Sequence, residues 1–544
     1  MNPIFRTILE RKYQGFMKRC LRAKTNQTDF LKQLIRKNQN TAFGTEHGFS
    51  GIQRQDDFAK KVTVRNYSDF NPWIERIIRG EKNVLSHEPV RFFNLTSGTD
   101  KSPKLIPITA SYNKTSRELL NAWVGGLVRD HRNTMSHCRL AIPGKAIEYF
   151  SEGGIPVGSA SGEAYKSALW FIRKKYAVPY EVFELDDFRL RYLLILRFAL
   201  QRPLSFLATP NSGTLVRLLQ LLEEESDTLL RSFYDGGLGD VPERIKKLCP
   251  PDRKTGQRLL QNLNFGNGTF SPLNYWNTLQ TIAVWLGGSC GTQVGALRRQ
   301  FPGIPLRDLG YHASEARMTM PISDNTSEGL LATDNNYYEF IPVPEYESGS
   351  RSTCTFSELE EGNEYYIIIT NLAGLYRYDI GDIIQVTGFY GETPIIRFLR
   401  KGKDFSNMAG EKLHINQFLE ARRRTLDRVP VPLRDDRFLI FPNQDLCCYD
   451  LFFEFASGDS GNLATSIAES IDLMDLAQRF DSHLKELNVE YASKRNSGRL
   501  HPLRIFNLDP GSIQGSVDSD FQAGMRDSQY KYRFYTSVPP GGMR

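Results

Sequence analysis

The chain has 544 residues, which is more than one hydrophobic core usually holds, so two or more domains are expected. Its 69 lysines and arginines exceed its 62 acidic residues by seven, a mild excess that is not the signature of a nucleic-acid-binding protein and that suits an anionic substrate. The seven cysteines show no CxxC spacing and the eight histidines do not cluster with them, which disfavours a zinc site and favours reduced thiols in the cytoplasm.

No segment of the sequence is expected to cross a membrane. The N-terminal stretch MNPIFRTILERKYQGFMKRCLRAK carries charges throughout, so it does not resemble a signal peptide. It could lie on a membrane as a basic amphipathic helix, but a helix packed on the domain is the favoured interpretation. The longest apolar candidate, residues 190–208, contains Arg191, Arg197 and Arg202, which argue against a span.

The first third of the chain predicts helices around one short strand. Residues 1–40 favour helix, and residues 66–80 combine helix-start chemistry with a glycine stop at Gly80. Residues 89–95 predict a buried strand that leads into a glycine-containing turn, and residues 110–131 predict a helix. The order strand, turn, helix is common in α/β proteins.

The rest of the chain predicts further strands and a change of domain. Apolar strands are expected at 138–144, 204–210 and 281–288, with a helical stretch at 212–233. Alternating aromatic and β-branched residues predict a β-rich part between 330 and 400. The polar stretch 401–410 predicts a junction. The expected fold is therefore α/β, with a large domain over 1–400 and a small α+β domain over 401–544.

The stretch TSGTDKSPK at 96–104 has the chemistry of an anion-binding loop. Backbone N–H groups in a tight turn can form a nest for an anion, hydroxyl groups add donors, and Lys104 could neutralise charge. The loop is not a Walker A motif, because Pro103 stands where that motif requires a glycine. The alternative is a plain strand-to-helix turn with a satisfied hydroxyl cluster.

Two later stretches could complete a nucleotide site. In GYHASEA, Tyr311 could stack on a purine and Glu315 could bind Mg²⁺, which takes one or two protein carboxylates together with phosphate oxygens. In YRYDIGD, Asp382 follows a turn at Gly381 and could accept both hydroxyls of a ribose. The alternatives are a capping glutamate with a core tyrosine, and an aspartate that supports its own turn.

Taken in order, these stretches resemble the acyl-adenylate-forming enzymes, and more closely the Gretchen Hagen 3 family of acyl acid amido synthetases with its bacterial relatives. TSGTDKSPKLIPIT resembles the phosphate-loop motif of the family, and GYHASEA resembles its tyrosine and Ser-Glu motif. YRYDIGD resembles its YRxGD motif with a longer spacing, and SQYKYRF is similar to its C-terminal QYKxPR. Arg317 stands where the family often has a small residue. The resemblance extends over nearly the whole chain.

The resemblance implies a role for each matching residue. The ATP phosphates would be bound by Thr96, Ser97, Gly98 and Thr99, with Lys104 beside them. Tyr311 would face adenine with Ser314 nearby, and Asp382 would bind the ribose. Glu315 would be the Mg²⁺ ligand and would act in catalysis. Lys531, whose simpler interpretation is a solvated surface lysine, would be the second catalytic residue, and Lys401 would lie in a hinge at 401–404 that moves the small domain.

The resemblance also implies the reaction and its partners. ATP, Mg²⁺ and a small carboxylic acid would give an acyl-adenylate and pyrophosphate, and an amine, that of an amino acid above all, would then accept the acyl group. Transfer to a thiol (coenzyme A or a carrier protein) or to an alcohol is the alternative. The acyl pocket is expected in the first domain, where Trp123 and Tyr165 could line it or belong to the core. A cytoplasmic enzyme that binds no nucleic acid is expected, and its oligomeric state, monomer included, is left open.

Overall fold

The computed structural model describes most of the chain. The described residues are 3–96, 104–239, 241–266, 268–288, 291, 294–402, 405–406, 408, 411, 413–426, 433–455, 472–509, 511–513, 515, 534–536 and 539–540. The chain forms two compact units. The first comprises Met1–Gly287, Gln300–Leu399 and Arg526–Tyr530, and the second comprises Gly288–Arg299, Arg400–Met525 and Lys531–Arg544.

The described α-helices are spread along the whole chain. In chain order they are α1 (Pro3–Cys20), α2 (Ala23–Asn38), α3 (Ala42–Glu46), α4 (Gln55–Lys61), α5 (Tyr67–Ile78), α6 (Ala110–Asp130), α7 (Ala160–Lys166), α8 (Trp170–Arg173), α9 (Phe188–Leu200), α10 (Ser212–Glu224), α11 (Ser226–Asp235), α12 (Glu243–Lys246), α13 (Arg253–Phe265), α14 (Pro272–Tyr275), α15 (Val294–Gln300), α16 (Val343–Glu347), α17 (Ile415–Leu426), α18 (Leu473–Leu487) and α19 (Val489–Asn496).

The described strands fall into five sheets. In chain order they are β1 (Val90–Thr96), β2 (Lys104–Thr109), β3 (Cys138–Ala141), β4 (Tyr149–Phe150), β5 (Pro156–Gly158), β6 (Leu204–Ala208), β7 (Thr281–Ala283), β8 (Leu306–Arg307), β9 (Thr319–Met320), β10 (Gly329–Leu331), β11 (Tyr337–Pro342), β12 (Glu364–Thr370), β13 (Tyr378–Tyr390), β14 (Thr393–Lys401), β15 (Phe405–Ser406), β16 (Leu413–His414), β17 (Leu433–Asn443), β18 (Cys448–Phe455) and β19 (Arg504–Asn507).

A parallel sheet of four strands, in the order β3-β6-β7-β8, lies in the first unit. The predicted strands at 138–144, 204–210 and 281–288 are confirmed as its first three members. Each connection between neighbouring parallel strands contains at least one helix, as is usual for such crossovers. The predicted helix at 212–233 is divided into α10 and α11, which meet at Glu225.

The β-rich part predicted between 330 and 400 is confirmed as most of a six-stranded sheet, in the order β11-β12-β13-β14-β10-β9. Its β13 contains a bulge where the sequence predicted a turn. Tyr366 pairs with Ile383 and Ile368 pairs with Asp379, so β13 has two more residues than β12 over this interval. Gly381 lies inside the bulge with φ of +71°, a conformation that glycine adopts without a steric penalty.

The anion-binding stretch connects two strands, which corrects the predicted order of strand, turn and helix. β1 and β2 pair antiparallel, and Thr96 is opposite Lys104. The two strands form an antiparallel hairpin, and α6 begins only after β2, with Thr109 as its N-cap. The hairpin fixes the positions of Thr96 and Lys104 relative to each other.

The N-terminal helix packs along α6, as predicted for residues 1–40. Its buried residues are Leu9, Tyr13, Phe16 and Cys20, which form one stripe of the helix. Gly125 and Gly126 of α6 allow the close approach, because a Cβ atom on Gly125 would overlap the carbonyl oxygen of Leu9.

Replacing Gly125 by alanine is expected to push α1 away from α6 and to lower the free energy of unfolding by about 1–3 kcal/mol, the usual cost of overpacking a core. The obstruction is backbone and cannot rotate aside. Urea unfolding followed by tryptophan fluorescence measures the loss, since all five tryptophans lie in the first unit. Gly15→Ala on α1 is the control, because the new Cβ there meets only the end of the flexible Arg19 side chain, at 3.4 Å; a loss no larger than in that variant would contradict the prediction.

The two N-terminal helices are also joined to strands far along the chain. The buried side chain of Gln27 on α2 donates to the carbonyl oxygens of Thr333 and Asn336, and it accepts from the Tyr338 N–H at 2.8 Å. The Thr393 hydroxyl on β14 donates to the carbonyl oxygen of Cys20 at 2.6 Å. These contacts attach the N-terminus to the six-stranded sheet.

The second unit has its own sheet and core. β18 pairs antiparallel with β17 and parallel with β19, and α17 packs against α18 beside them. The core includes Phe418, Phe438 and Phe480. The sequence SIDLMDLAQRFDSHLKELN, which predicts a helix, contains α18, and LRIFNLDPG, which predicts a strand, contains β19.

Within the described part of the chain, no helix is long and apolar enough to cross a membrane. The apolar candidate at 190–208 contains most of α9 and the whole of the strand β6. The cysteines that the structure describes are free, and these residues hold no group of three or more His, Cys, Asp and Glu side chains that could bind a metal ion.

Candidate active site

The GYHASEA stretch forms a tight loop that returns on itself. The Met318 N–H donates to the Tyr311 carbonyl oxygen at 2.9 Å, and the Tyr311 N–H donates to the Thr319 hydroxyl at 2.8 Å. Gly310 begins the loop with φ of +87°, and a Cβ atom there would be 2.5 Å from the Thr319 carbonyl oxygen. Glycine is therefore required at this position on two grounds, conformation and space.

Tyr311 and Asp382 come together, 71 residues apart in sequence. The Tyr311 hydroxyl donates to Asp382 Oδ2 at 2.7 Å, and both side chains are buried. The Tyr311 ring stacks on Phe398, with ring centroids 5.3 Å apart and an interplanar angle of 24°. One face of the ring is therefore in contact with protein.

Glu315 lies at the other end of the same loop and meets the same strand. The Tyr378 hydroxyl donates to Glu315 Oε1 at 3.1 Å, and the Asn371 amide donates to the Glu315 carbonyl oxygen at 2.8 Å. The side chain is 7% exposed. Within the described part of the chain Oε2 has no hydrogen-bond donor, which leaves it available to a cation.

The two tyrosine hydroxyls remain protonated donors at neutral pH. Burial raises the pKa of Tyr311 well above its ordinary value, and the charge of Asp382 raises it further. Burial and the charge of Glu315 do the same to the pKa of Tyr378. Each carboxylate therefore accepts from a neutral hydroxyl, and its negative charge is not cancelled by that hydrogen bond.

Tyr67 on α5 connects the hairpin of β1 and β2 with the surroundings of Glu315. The Leu105 N–H donates to the Tyr67 hydroxyl at 2.7 Å, and Lys104 Nζ is 5.3 Å from the centroid of the Tyr67 ring. Burial raises the pKa of Tyr67 to about 12, and the negative charge of Glu315 contributes to that rise. Lys104, Tyr67 and Glu315 thus belong to one electrostatic neighbourhood.

Several residues of the site were not predicted from the sequence. Tyr67 and Asn371 carry no motif signal, and Tyr378 was noted only as part of YRYDIGD. The Tyr112 hydroxyl on α6 is directed at the Ser314 carbonyl oxygen at 3.5 Å, so Ser314 is positioned by its backbone. Burial lowers the pKa of Arg317 to about 10.

The remaining predicted residues are placed as follows. Thr96 is the last residue of β1, and Lys401 is the last residue of β14 and belongs to the second unit. Ser97, Gly98, Thr99 and Lys531 lie outside the described residues. Trp123 and Tyr165 are buried, and their side chains donate hydrogen bonds to backbone carbonyl oxygens, as expected of core residues.

His312, inside the loop, is expected to make stability depend on pH. Burial lowers its pKa to about 3, and the charge of Arg317 lowers it further. Below pH 6.5 the unfolded chain binds a proton at this histidine whereas the folded chain does not, so the free energy of unfolding falls as the pH decreases from 6.5 towards 3. The slope is roughly 1.4 kcal/mol per pH unit at most.

His312→Gln should flatten this dependence. The free energy of unfolding is measured by urea unfolding at pH 6.5, 5 and 4. Between pH 6.5 and pH 4 it should fall in His312→Gln by about 1–3 kcal/mol less than it falls in the unsubstituted chain. His137→Gln, at an exposed histidine, is the matched control. Parallel curves for all three proteins would contradict the assignment.

Comparison with known proteins identifies the family. The models of the GH3 family match three consecutive parts of the chain: the N-terminal domain at residues 12–306, the central domain at 329–401 and the C-terminal domain at 417–538. The chain belongs to the GH3 family. The family resemblance predicted from the motifs is confirmed.

The relatives are plant enzymes of modest identity and nearly full coverage. An indole-3-acetic acid-amido synthetase, GH3.8 of Oryza sativa subsp. indica, is 24% identical over 94% of this chain and 88% of its own length. A jasmonoyl–L-amino acid synthetase, GH3.5 of Oryza sativa subsp. japonica, is 23% identical over 93% of this chain and 91% of its own. These relatives bear out the prediction of an acid–amino acid ligase.

A solved structure confirms the predicted fold class. The GH3.15 acyl acid amido synthetase superposes with a TM-score of 0.82 over 97% of this chain and 94% of its own, at 19% identity. The α/β architecture with several sheets flanked by helices is therefore that of this family.

Proposed function

We propose that this chain is an ATP-dependent ligase that activates a small carboxylic acid as its acyl-adenylate and transfers the acyl group to the amine of an amino acid. The names of the relatives describe amido synthetases for indole-3-acetic acid and for jasmonate, which support a small apolar carboxylic acid as the substrate class. The acid of this chain is to be found by experiment, because the relatives differ in theirs.

One observation carries the proposal within the structure. The loop with Glu315 and the bulged strand with Asp382 meet through two hydroxyl–carboxylate contacts, Tyr378 to Glu315 and Tyr311 to Asp382. Two charged carboxylates are therefore held in one buried region near Lys104 of the hairpin. A carboxylate for a metal ion and another for ribose hydroxyls, next to a loop for phosphates, are what adenylation of an acid needs.

Adenylation joins two anions. An oxygen of the substrate carboxylate attacks the α-phosphorus of ATP, the bond from that phosphorus to the bridging oxygen of the β-phosphate breaks, and pyrophosphate leaves. The negative charges must be neutralised while the reactants are held in line, so positioning and electrostatics dominate. In the proposal, residues 96–99 and Lys104 bind the phosphates, and Asp382 orients the ribose beside Tyr311 and Ser314.

The residues present fit a magnesium ion. Glu315 offers one buried carboxylate with one oxygen free of described donors, and Mg²⁺ usually takes one or two protein carboxylates with water and phosphate oxygens for the rest. When bound, the ion would neutralise phosphate charge. Lys531 is proposed to neutralise charge at the α-phosphate and the acid.

In the second step the ammonium group of the amino acid gives a proton to water, the resulting amine attacks the acyl carbon, the bond to the AMP oxygen breaks, and the nitrogen gives a second proton to water as the amide forms and AMP leaves. The acyl-adenylate reacts with water, so the site must be shielded while the amine arrives. We infer that residues 401–404 act as a hinge for this change. The chain passes from the first compact unit to the longest segment of the second between Leu399 and Arg400, which supports a hinge there.

The experiment is acid-dependent release of pyrophosphate from ATP across a panel of small carboxylic acids, with Mg²⁺ present. At least one acid should stimulate release, and mass spectrometry should find an amide when amino acids are added. Coenzyme A and alcohols are offered separately as acceptors. A panel without any acid-dependent release would overturn the proposal, and a thioester or ester product would overturn the assignment of an amine acceptor.

A further inference from the structure

An exposed apolar cluster joins α1 to α8. Its members are between 36% and 71% exposed, and they are Ile4, Phe5 and Ile8 of α1 with Leu169, Trp170 and Phe171 at the start of α8. The rings of Phe5 and Phe171 meet edge to face, with centroids 6.3 Å apart, and Trp170 meets Phe171 in the same way at 6.1 Å. The six side chains therefore form one surface, called here the aromatic surface.

The aromatic surface is not part of the core packing of α1. The stripe that α1 buries against α6 consists of Leu9, Tyr13, Phe16 and Cys20. Ile4 and Ile8 lie one turn apart on the outer side of the helix, where the later turns carry the exposed Arg11 and Lys12. Scattered apolar side chains need no explanation, but a joined cluster of aromatic and aliphatic groups marks a site of interaction.

The surroundings of the aromatic surface are strongly basic. Residues 4–12, which contain the α1 part of the surface, include three basic residues and one acidic residue, and residues 164–177 include four basic residues and no acidic residue. The two stretches together carry a net charge of +6. Basic side chains therefore outnumber acidic ones in the segments that form the aromatic surface.

The basic groups border the aromatic residues closely. Lys174 Nζ is 4.7 Å from the centroid of the Trp170 ring, and Arg173 and Lys175 beside it are exposed. The one acidic residue of α1, Glu10, already pairs with Arg6 at 3.5 Å. An apolar centre with a cationic border is the chemistry that an anionic bilayer complements, with an acyl boundary under negatively charged headgroups.

We propose that the aromatic surface docks this protein onto anionic lipid bilayers, with the aromatic and aliphatic side chains entering the headgroup boundary and the surrounding lysines and arginines contacting the lipid phosphates and carboxylates. Binding is peripheral and reversible. It is independent of the proposed ligase activity, since none of these residues belongs to the candidate active site. A protein partner would have to match both an apolar centre and a strongly anionic border, and a bilayer offers both as a continuous surface.

The test is co-sedimentation of the full chain with vesicles. Vesicles of phosphatidylcholine with about one third phosphatidylserine should sediment the protein, and vesicles of phosphatidylcholine alone should not. Raising the salt concentration from about 0.1 M to 1 M shortens the screening length about threefold, so the sedimented fraction should fall.

Substitutions distinguish binding through the aromatic surface from nonspecific adsorption of the protein to vesicles. The double variant Trp170→Ser with Phe171→Ser should lower the apparent affinity for the anionic vesicles at least tenfold while its melting temperature stays close to that of the unsubstituted chain. Lys174→Ala with Lys175→Ala should lower it less. Phe265→Ser is the matched control, because Phe265 is 76% exposed on α13 in a different place.

Each other outcome overturns the proposal. Equal sedimentation with both kinds of vesicle would indicate nonspecific adsorption, and no sedimentation with the anionic vesicles would remove the bilayer as the partner. A dimer in size-exclusion chromatography that becomes a monomer on the Trp170→Ser and Phe171→Ser substitutions, without vesicle binding, would assign the surface to a second copy of the chain.

Discussion

Glu315→Gln should lower acid-dependent pyrophosphate release by roughly 10²-fold or more, because a metal ion that stabilises transition-state charge is worth several kcal/mol. Glutamine has nearly the same shape, and its oxygen can still accept from the Tyr378 hydroxyl, while Asn371 bonds to the backbone and is unaffected. The substitution therefore removes charge and leaves packing in place. The rate is measured by coupled pyrophosphate detection and the fold by the melting temperature.

The matched control is Glu345→Gln at an exposed glutamate of α16, which should leave the rate unchanged. If Glu315→Gln kept more than about a third of the rate at every Mg²⁺ concentration, the role assigned to this carboxylate would be wrong. A fall in rate that is accompanied by a large fall in melting temperature would mean that Glu315 acts through packing.

Replacing Arg377 by methionine should lower the free energy of unfolding by about 3–5 kcal/mol, the usual cost of leaving one member of a buried ion pair without the other. Arg377 and Glu339 are each 4% exposed, and Arg377 Nε is 2.9 Å from Glu339 Oε2. The same guanidinium donates to the carbonyl oxygens of Ala59 and Val62 and to the Thr353 hydroxyl. Four acceptors therefore lose their donor together.

The double variant with Glu339→Gln distinguishes the lost pair from the lost volume. The double variant contains no uncompensated buried charge. Its loss in free energy of unfolding should therefore be smaller than the sum of the losses of the two single variants, by about 1–3 kcal/mol. Tryptophan fluorescence in urea gives the three values for the first unit. Strict additivity would show that the pair contributes nothing as a pair.

Motif chemistry predicted which residues belong to the site, but it did not predict which of them contact each other. Thr96, Lys104, Tyr311, Glu315 and Asp382 were chosen from motifs, and the structure brings Tyr311, Glu315 and Asp382 to one loop and one strand. Glu315 and Tyr378 are 63 residues apart, and a tyrosine that binds a carboxylate has the same local pattern as one that fills a core. Only the pairing of distant segments separates the two cases.

The two corrections to the fold have local causes. β2 was missed because KLIPIT is short and contains Pro107, which argues against a central strand. It is in fact the edge strand of its sheet, where a proline is tolerated, and Pro107 pairs with Phe93 of β1. In YRYDIGD, the glycine signals a left-handed residue correctly, but a bulge and a turn require the same residue type.

The N-terminal helices α1 and α2 are hydrogen-bonded to residues that the ribosome makes more than 300 residues later, and this order of synthesis affects folding. The hydrogen bond from Thr393 to Cys20 spans 373 residues, and Gln27 finds its partners more than 300 residues later. At roughly 5–20 residues per second, about 20–75 seconds pass before those partners emerge. The apolar stripe of α1 remains exposed only until α6 (Ala110–Asp130) has emerged, whereas the polar groups of α2 stay without their partners until the strands of the sheet are made. The first unit therefore cannot complete its folding from the N-terminus onward, and chaperones have a long interval in which to bind it.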